Sequence, residues 1–230
     1  MNARDRPGAA VAARAVERDE QPLARAEVLR IAGLAQRFRG REVVSRLDLA
    51  VHPGERIALW GPNGSGKTTV LRCVAGSLTP TEGTIAVRGH PAGSLAARRR
   101  VGASFSQERS FYLRLSGRNN LLFYARLRHA SEAQARAAVD ALEDELELNS
   151  ILAMRAHACS AGMLQQLALA RALLGEPDVL LLDEPTRSLD QGAVERLWAA
   201  LERRPNTAVL FATHHSDDVE RCDKRVELPT

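Results

Sequence analysis

Apolar residues recur with a period of two in several short stretches of the chain. In "RLDLAV" (46–51), Leu47, Leu49 and Val51 alternate with polar neighbours, and "VLRI" (28–31) has the same texture. "RIALW" (56–60) is an apolar run leading into a glycine-rich turn, as expected of a strand buried on both faces. "TIAV" (84–87), "VGASF" (101–105), "VLLL" (179–182), "AVLFAT" (208–213) and "RVEL" (225–228) complete the expected strands. Helical stretches alternate with the later strands, which predicts an α/β fold with a parallel sheet covered by helices.

Between Gln107 and Leu174 the strand signal stops, and three helices are expected in succession. Ser116 caps the first; Asn119 stands where a capping-box glutamate would be, so that start is expected to depend on a partner. Ser131 and Gln134 form an S-x-x-Q capping box for the second, whose apolar face is Ala135, Val139, Leu142 and Leu146. The third begins within "CSAGMLQQLALARALL" (159–174), with Ser160 in the capping position and Leu164, Leu167, Ala168 and Ala172 on one face. An α-helical insert of about 108–174 is therefore predicted inside a domain spanning 27–230. Residues 1–26 show no sustained period and are expected to be a mobile tail; Asp5, Glu17, Asp19 and Glu20 argue against a transit peptide. "ARRR" (97–100) is expected to be a solvated run before a strand.

Composition narrows this picture only at a few points. With 45% hydrophobic and 26% charged residues among 230, the chain has globular composition. The net charge of +4 is spread along the chain rather than blocked, so no nucleic-acid partner is expected. Cys73, Cys159 and Cys222 are odd in number and widely spaced, suggesting neither a disulfide framework nor a zinc site and fitting a reducing interior. No apolar run approaches the roughly 20 residues of a membrane span, and the N-terminus lacks the apolar core of a secretion signal. The protein is thus expected to be soluble or peripheral to a membrane, without direct insertion. Of 32 basic residues only Lys67 and Lys224 are lysine, so a chemical reason is sought for each.

Lys67 supplies one. "GPNGSGKTT" (61–69) fits G-x-x-x-x-G-K-[ST], follows an expected buried strand and opens a helix. Such a loop turns backbone N–H groups inward around phosphates, and a lysine ammonium reaches them as a point charge. Gly61, Asn63, Gly64, Ser65, Gly66, Lys67, Thr68 and Thr69 are the candidate nucleotide cradle, with Thr68 a ligand for Mg²⁺. "VLLLDEP" (179–185) ends an apolar strand in two carboxylates that alternation aims differently: Asp183 toward Mg²⁺ through its water shell, Glu184 toward an attacking water as general base. Guanine recognition usually needs N-K-x-D, which this chain lacks, so a GTPase is disfavoured.

"CSAGMLQQLALARALL", upstream of "LLLDEP", resembles the LSGGQ signature and helix of ATP-binding cassette (ABC) proteins. The resemblance implies a P-loop NTPase (RecA-like) fold with a mostly parallel sheet core, an N-terminal antiparallel β subdomain and an α-helical insert. It also implies that Ser160 and the Gly162 N–H form an anion site for nucleotide held by another subunit, in a head-to-tail pair enclosing two ATP molecules. By the same resemblance Phe38 stacks on adenine and Gln107 is the Q-loop glutamine contacting Mg²⁺ and the attacking water. Asp190 in "SLD" is the D-loop aspartate at the pair's interface, and His214 in "ATHH", rather than His215, is the switch histidine at the γ-phosphate.

The signature departs from the family pattern at Ala161, Met163 and Gln166, while Ser160 and Gly162 remain; S-x-G-M is similar to the variant of ABC-2-type exporters of polysaccharide, lipid or drug. "RSFYLRLSGRNNLLFYARLRH" (109–129) resembles exporter cassettes in which this insert receives a membrane subunit, and core of the helical insert is its other reading. The resemblance implies an ATPase working as a pair, expected to be a homodimer, beneath separate ABC membrane (permease) subunits on the cytoplasmic face of the plasma membrane. Two other readings stand beside it: a non-transport ABC ATPase of translation or repair, and an ATP-binding regulatory module. The chain's end soon after His214 carries the expectation of no C-terminal regulatory domain.

Overall fold

The computed structural model describes residues 26–106 and 110–228. The expected tail, apart from Ala26, and Gln107 lie outside the described residues. Two sheets form the framework. The first is antiparallel, in the order β2 (Arg41–Val51), β1 (Leu29–Phe38), β4 (Glu82–Val87), β5 (His90–Pro91). The second is parallel, in the order β6 (Val101–Ser104), β7 (Val179–Asp183), β8 (Ala208–Thr213), β3 (Arg56–Trp60), β9 (Lys224–Glu227). A ligand in such a sheet binds at the carboxyl ends of the strands. Here the ends of β3, β6, β7 and β8 deliver the P-loop, Ser106, Asp183 and His214 to one side.

Helix α1 (Lys67–Val74) packs across β7 and β8, and α2 (Leu95–Arg98) leads into β6. The insert comprises α3 (Gly117–Arg126), α4 (Glu132–Leu146), α5 (Asn149–Ala153), a 3₁₀ turn at Ala156–Ala158 and α6 (Ala161–Leu173). The chain ends with α7 (Gln191–Glu202) and α8 (Ser216–Glu220) around β8 and β9.

Alternation along β7 divides the core. Leu180 and Leu182 join Trp198, Phe211 and the insert helices on one face; Val179 and Leu181 join Ile57, Leu59 and α1 on the other. Every residue of β7 is buried, as the uninterrupted apolar run requires. A fully buried Leu or Phe contributes about 1.5–3 kcal/mol, against about 0–1 kcal/mol for an exposed ion pair, so these clusters rather than the many arginine–carboxylate pairs hold the layers together. The Glu145–Arg204 pair between α4 and the end of α7 is more sheltered, at 2.7 Å. Hydrogen bonding from Arg204 holds the Glu145 carboxyl below its usual range, so its contribution to stability is present at neutral pH and is lost as acidification reaches that lowered value. Burial pushes the Cys73 thiol up to about 11 and the Cys222 thiol up to about 12, leaving both protonated at neutral pH.

Several local expectations change. β1 and β2 are longer than "VLRI" and "RLDLAV", because their outer halves pair with each other through register shifts where polar residues break the alternation. The "ARRR" run is partly helical: Ser94 caps α2, accepting from Ala97 N at 3.2 Å, and Ala97 is buried. The start of α3 is fixed within the chain. Ser116 accepts from Asn119 N, and the fully buried Asn120 accepts from Tyr112 N at 2.8 Å while donating to the Tyr112 and Ser116 carbonyls. A side chain bonded to the incoming loop replaces the missing glutamate.

Candidate functional site

The loop after β3 wraps the start of α1. Gly66, in the N-cap position, has φ +94°, and a Cβ there would stand 2.6 Å from the Val43 carbonyl oxygen, so β2 packs where any side chain would be. With no side-chain cap on α1, its first N–H groups are offered to the cavity beside it. Lys67 is 6% exposed, and its Nζ donates to the carbonyls of Gly61 (2.6 Å) and Pro62 (3.0 Å), which holds the ammonium at the loop. The Ser65 hydroxyl is buried without a hydrogen-bond partner among the described residues. A buried hydroxyl left unsatisfied is costly.

Asp183, 1% exposed, ends β7 beside this loop. The Thr68 hydroxyl donates to its carboxylate at 3.0–3.1 Å, and the Ser106 hydroxyl donates at 2.9 Å. Two hydroxyls converging on one carboxylate make a hard, all-oxygen donor set, which fits Mg²⁺. Thr68 and Asp183 are the residues that would hold it, and the ion would supply neutralisation of phosphate charge.

Glu184 follows with a left-handed backbone, φ +49°, and its N–H donates to the Ala212 carbonyl at 2.7 Å. One carboxylate oxygen lies 2.8 Å from His214 Nδ1; the other is buried without a partner among the described residues. A carboxylate with one oxygen bonded to His214 Nδ1 and the second kept for a water proton is the arrangement a general base requires. Phe38, Val43, Asn63, Gly64, Gly66, Lys67, Thr68, Thr69, Ser106, Asp183, Glu184, Arg187 and His214 share one cavity of ≈ 420 Å³. Phe38, at the end of β1, is 45% exposed on its rim. Gly61 and Ser65 belong to the loop without lining the cavity.

Ser160, Gly162 and Asp190 lie elsewhere. Ser160 caps α6: its Oγ accepts from Met163 N at 3.2 Å, while its own N–H donates to the Met163 thioether at 3.4 Å. Sulfur thus takes the reciprocal role that an amide or carboxylate plays in an ordinary capping box. Gly162 admits no side chain because a Cβ would run into the Ser188 carbonyl, so α6 begins pressed against the loop after β7. Gln165 adds a bond to the Pro185 carbonyl at 3.3 Å. Asp190 caps α7, accepting from Ala193 N at 2.8 Å.

Sequence reading missed Ser106, Arg187 and the Met163 thioether. Ser106 could have been flagged by its place after an apolar strand; the other two carry no sequence signal of their own. The aromatic stretch divides between its two readings. Phe111 and Tyr124 pack against the core beneath the Arg171 guanidinium, at 5.3 and 5.2 Å. Tyr112 and Phe123 stay exposed, edge to face at 5.0 Å, near exposed Leu113 and Leu127.

Residues 44–187 match the family model described as "ABC transporter". The Nod factor export ATP-binding protein I of Paraburkholderia xenovorans is 40% identical over 81% of this chain, which spans 62% of that protein's length. The ABC transporter ATP-binding protein NatA of Bacillus subtilis is 30% identical over 84% of this chain and 82% of its own. A solved "ATP binding subunit of ABC transporter" superposes with a TM-score of 0.79 at 28% identity, covering 87% of this chain and 85% of that one. With matches this extensive over the P-loop, the signature helix and the acidic end of β7, the chain belongs to the ABC transporter family, as one of its ATP-binding cassettes.

Proposed function

We propose that this cassette hydrolyses ATP and, as a pair, powers export through separate membrane subunits. The observation that carries the reading is the 2.8 Å contact between Glu184 and His214 on the cavity that also holds Lys67, Thr68 and Asp183. Lys67 and the N–H groups of α1 bind phosphate, Glu184 takes a proton from water, and His214 steadies that carboxylate and the phosphate facing it. Thr68, Asp183 and, on the family resemblance, Gln107 hold Mg²⁺; Phe38 stacks on the base.

Ser160 and Gly162 do not line this cavity, which supports their service to the nucleotide of a second, identical cassette, with Asp190 at the interface between copies. The relatives named for Nod factor export support the export direction, and lipid, polysaccharide or drug-like molecules are the cargo class proposed. Exposed Tyr112, Leu113, Phe123 and Leu127 support docking of a membrane subunit, and with it a peripheral position on the cytoplasmic face of the membrane as part of this reading. Among the described residues no helix is long and apolar enough to cross a membrane.

The test is phosphate release from ATP and Mg²⁺ by the purified cassette, alone and with its co-expressed membrane subunit in lipid. Magnesium-dependent turnover, raised by the membrane subunit, is expected. Binding without turnover in both settings would favour a regulatory module, and turnover indifferent to any membrane partner would favour a non-transport ATPase.

A further inference from the structure

Glu184 and His214 sit on two different loops, one after β7 and one after β8. A buried carboxylate, Asp218, joins those loops. Its Oδ2 accepts from the Thr186 hydroxyl at 2.8 Å and from the Thr213 hydroxyl at 3.0 Å. Thr186 lies two residues past Glu184, and Thr213 immediately precedes His214. Thr213 Oγ1 also accepts from the His215 N–H at 3.0 Å, so the backbone on both sides of His214 is tied to the same oxygen. Asp218 is 3% exposed and Thr213 is fully buried.

The backbone at Glu184 gives this clamp its importance. A non-glycine residue in the left-handed region is strained and persists only where its surroundings fix it. The Glu184 N–H is fixed to the Ala212 carbonyl on one side. On the other, buried Pro185 leads directly to Thr186, whose hydroxyl is held by Asp218. Releasing Thr186 frees the segment to relax toward ordinary dihedrals, which swings the Glu184 carboxylate away from His214. A displacement of about 1 Å at a reacting group costs roughly a hundredfold in rate.

We propose that Asp218 is a positioning residue for hydrolysis: through Thr186 and Thr213 it sets the distance between Glu184 and His214. The inference rests on the catalytic roles proposed above for that pair. Its competitor is purely structural, with Asp218 only anchoring the short helix α8 (Ser216–Glu220). An anchor changes how much protein folds, whereas a positioning residue changes turnover per folded molecule.

The experiment measures kcat and KM for ATP, with melting temperature, in the full chain carrying Asp218→Ala, Asp218→Asn, Thr186→Val or the Asp218→Ala/Thr186→Val pair. Asp218→Ala is expected to lower kcat about ten- to a hundredfold with KM changed less than about twofold. Asp218→Asn keeps an oxygen able to accept both hydroxyl bonds and restores most of kcat. Thr186→Val, close in shape but unable to donate, loses kcat like Asp218→Ala, and the double variant is no worse than either single one. Should Asp218→Ala fail to fold, Thr186→Val, at a partly exposed position, carries the same comparison. Wild-type kcat in Thr186→Val, or an Asp218→Asn variant as impaired as Asp218→Ala, overturns the inference. Glu184→Gln and His214→Ala are run alongside. If they abolish turnover while the Thr186 and Asp218 variants keep it, only the positioning role fails; if they leave turnover intact, the catalytic reading fails and the positioning role with it.

Discussion

Glu184→Gln is expected to cut ATP turnover by about 10²–10⁴-fold while leaving nucleotide binding in place. The amide is nearly isosteric with the carboxylate, and its oxygen can still accept from His214 Nδ1, now 2.8 Å from Glu184. It cannot take a proton from water. Lys67, Thr68 and Asp183 are untouched, so phosphate and Mg²⁺ contacts remain. With hydrolysis blocked and binding intact, the paired state should accumulate, visible as an ATP-dependent shift to dimer in size-exclusion chromatography. Turnover within tenfold of wild type, or loss of nucleotide binding, would show that Glu184 is not the base.

Lys67→Ala should act one step earlier. The ammonium is buried and held by two loop carbonyls, so its removal deletes charge-assisted contacts to phosphate and leaves Gly61 and Pro62 without their donor. Hydrogen bonds to a charged group are worth about 1.5–3 kcal/mol each, so one such contact weakens ATP affinity roughly 10- to 150-fold. Lys67→Arg should not rescue it, since a planar guanidinium does not replace a compact ammonium inside this loop. Binding of a fluorescent ATP analogue reads this directly, and a Kd within twofold of wild type for Lys67→Ala would remove Lys67 from the phosphate site.

The parts of the site that were legible in the sequence are those where one segment carries the whole message. The P-loop is contiguous, and β7 announces itself by an unbroken apolar run ending in Asp183 and Glu184. What was illegible depends on partners distant in the chain. Asp218 lies in "SDDVE", which reads as an acidic, solvated helix start; only the folded chain brings it to Thr186 and Thr213. Asn120 looks like a weak helix residue until its bonds to the Tyr112 backbone are seen. Met163 departs from the signature in spelling, yet its thioether fills the capping role at Ser160. The outer halves of β1 and β2 were missed because register shifts around Leu34 and Gln36 interrupt the alternation, and Gln36, a polar residue, is buried where an apolar one would mark the strand.

The central claim is that the Ser160 end of α6 completes the nucleotide site of a second copy. Chains carrying Cys159→Ser with Ser160→Cys are mixed with chains carrying Cys159→Ser with Asn63→Cys, then treated with a short bismaleimide with and without a non-hydrolysable ATP analogue. Cys73 is buried, and Cys222, which is partly exposed, is replaced by serine in both chains. The account predicts nucleotide-dependent crosslinking between the two different chains; nucleotide-bound protein in which positions 160 and 63 never crosslink between chains would contradict it.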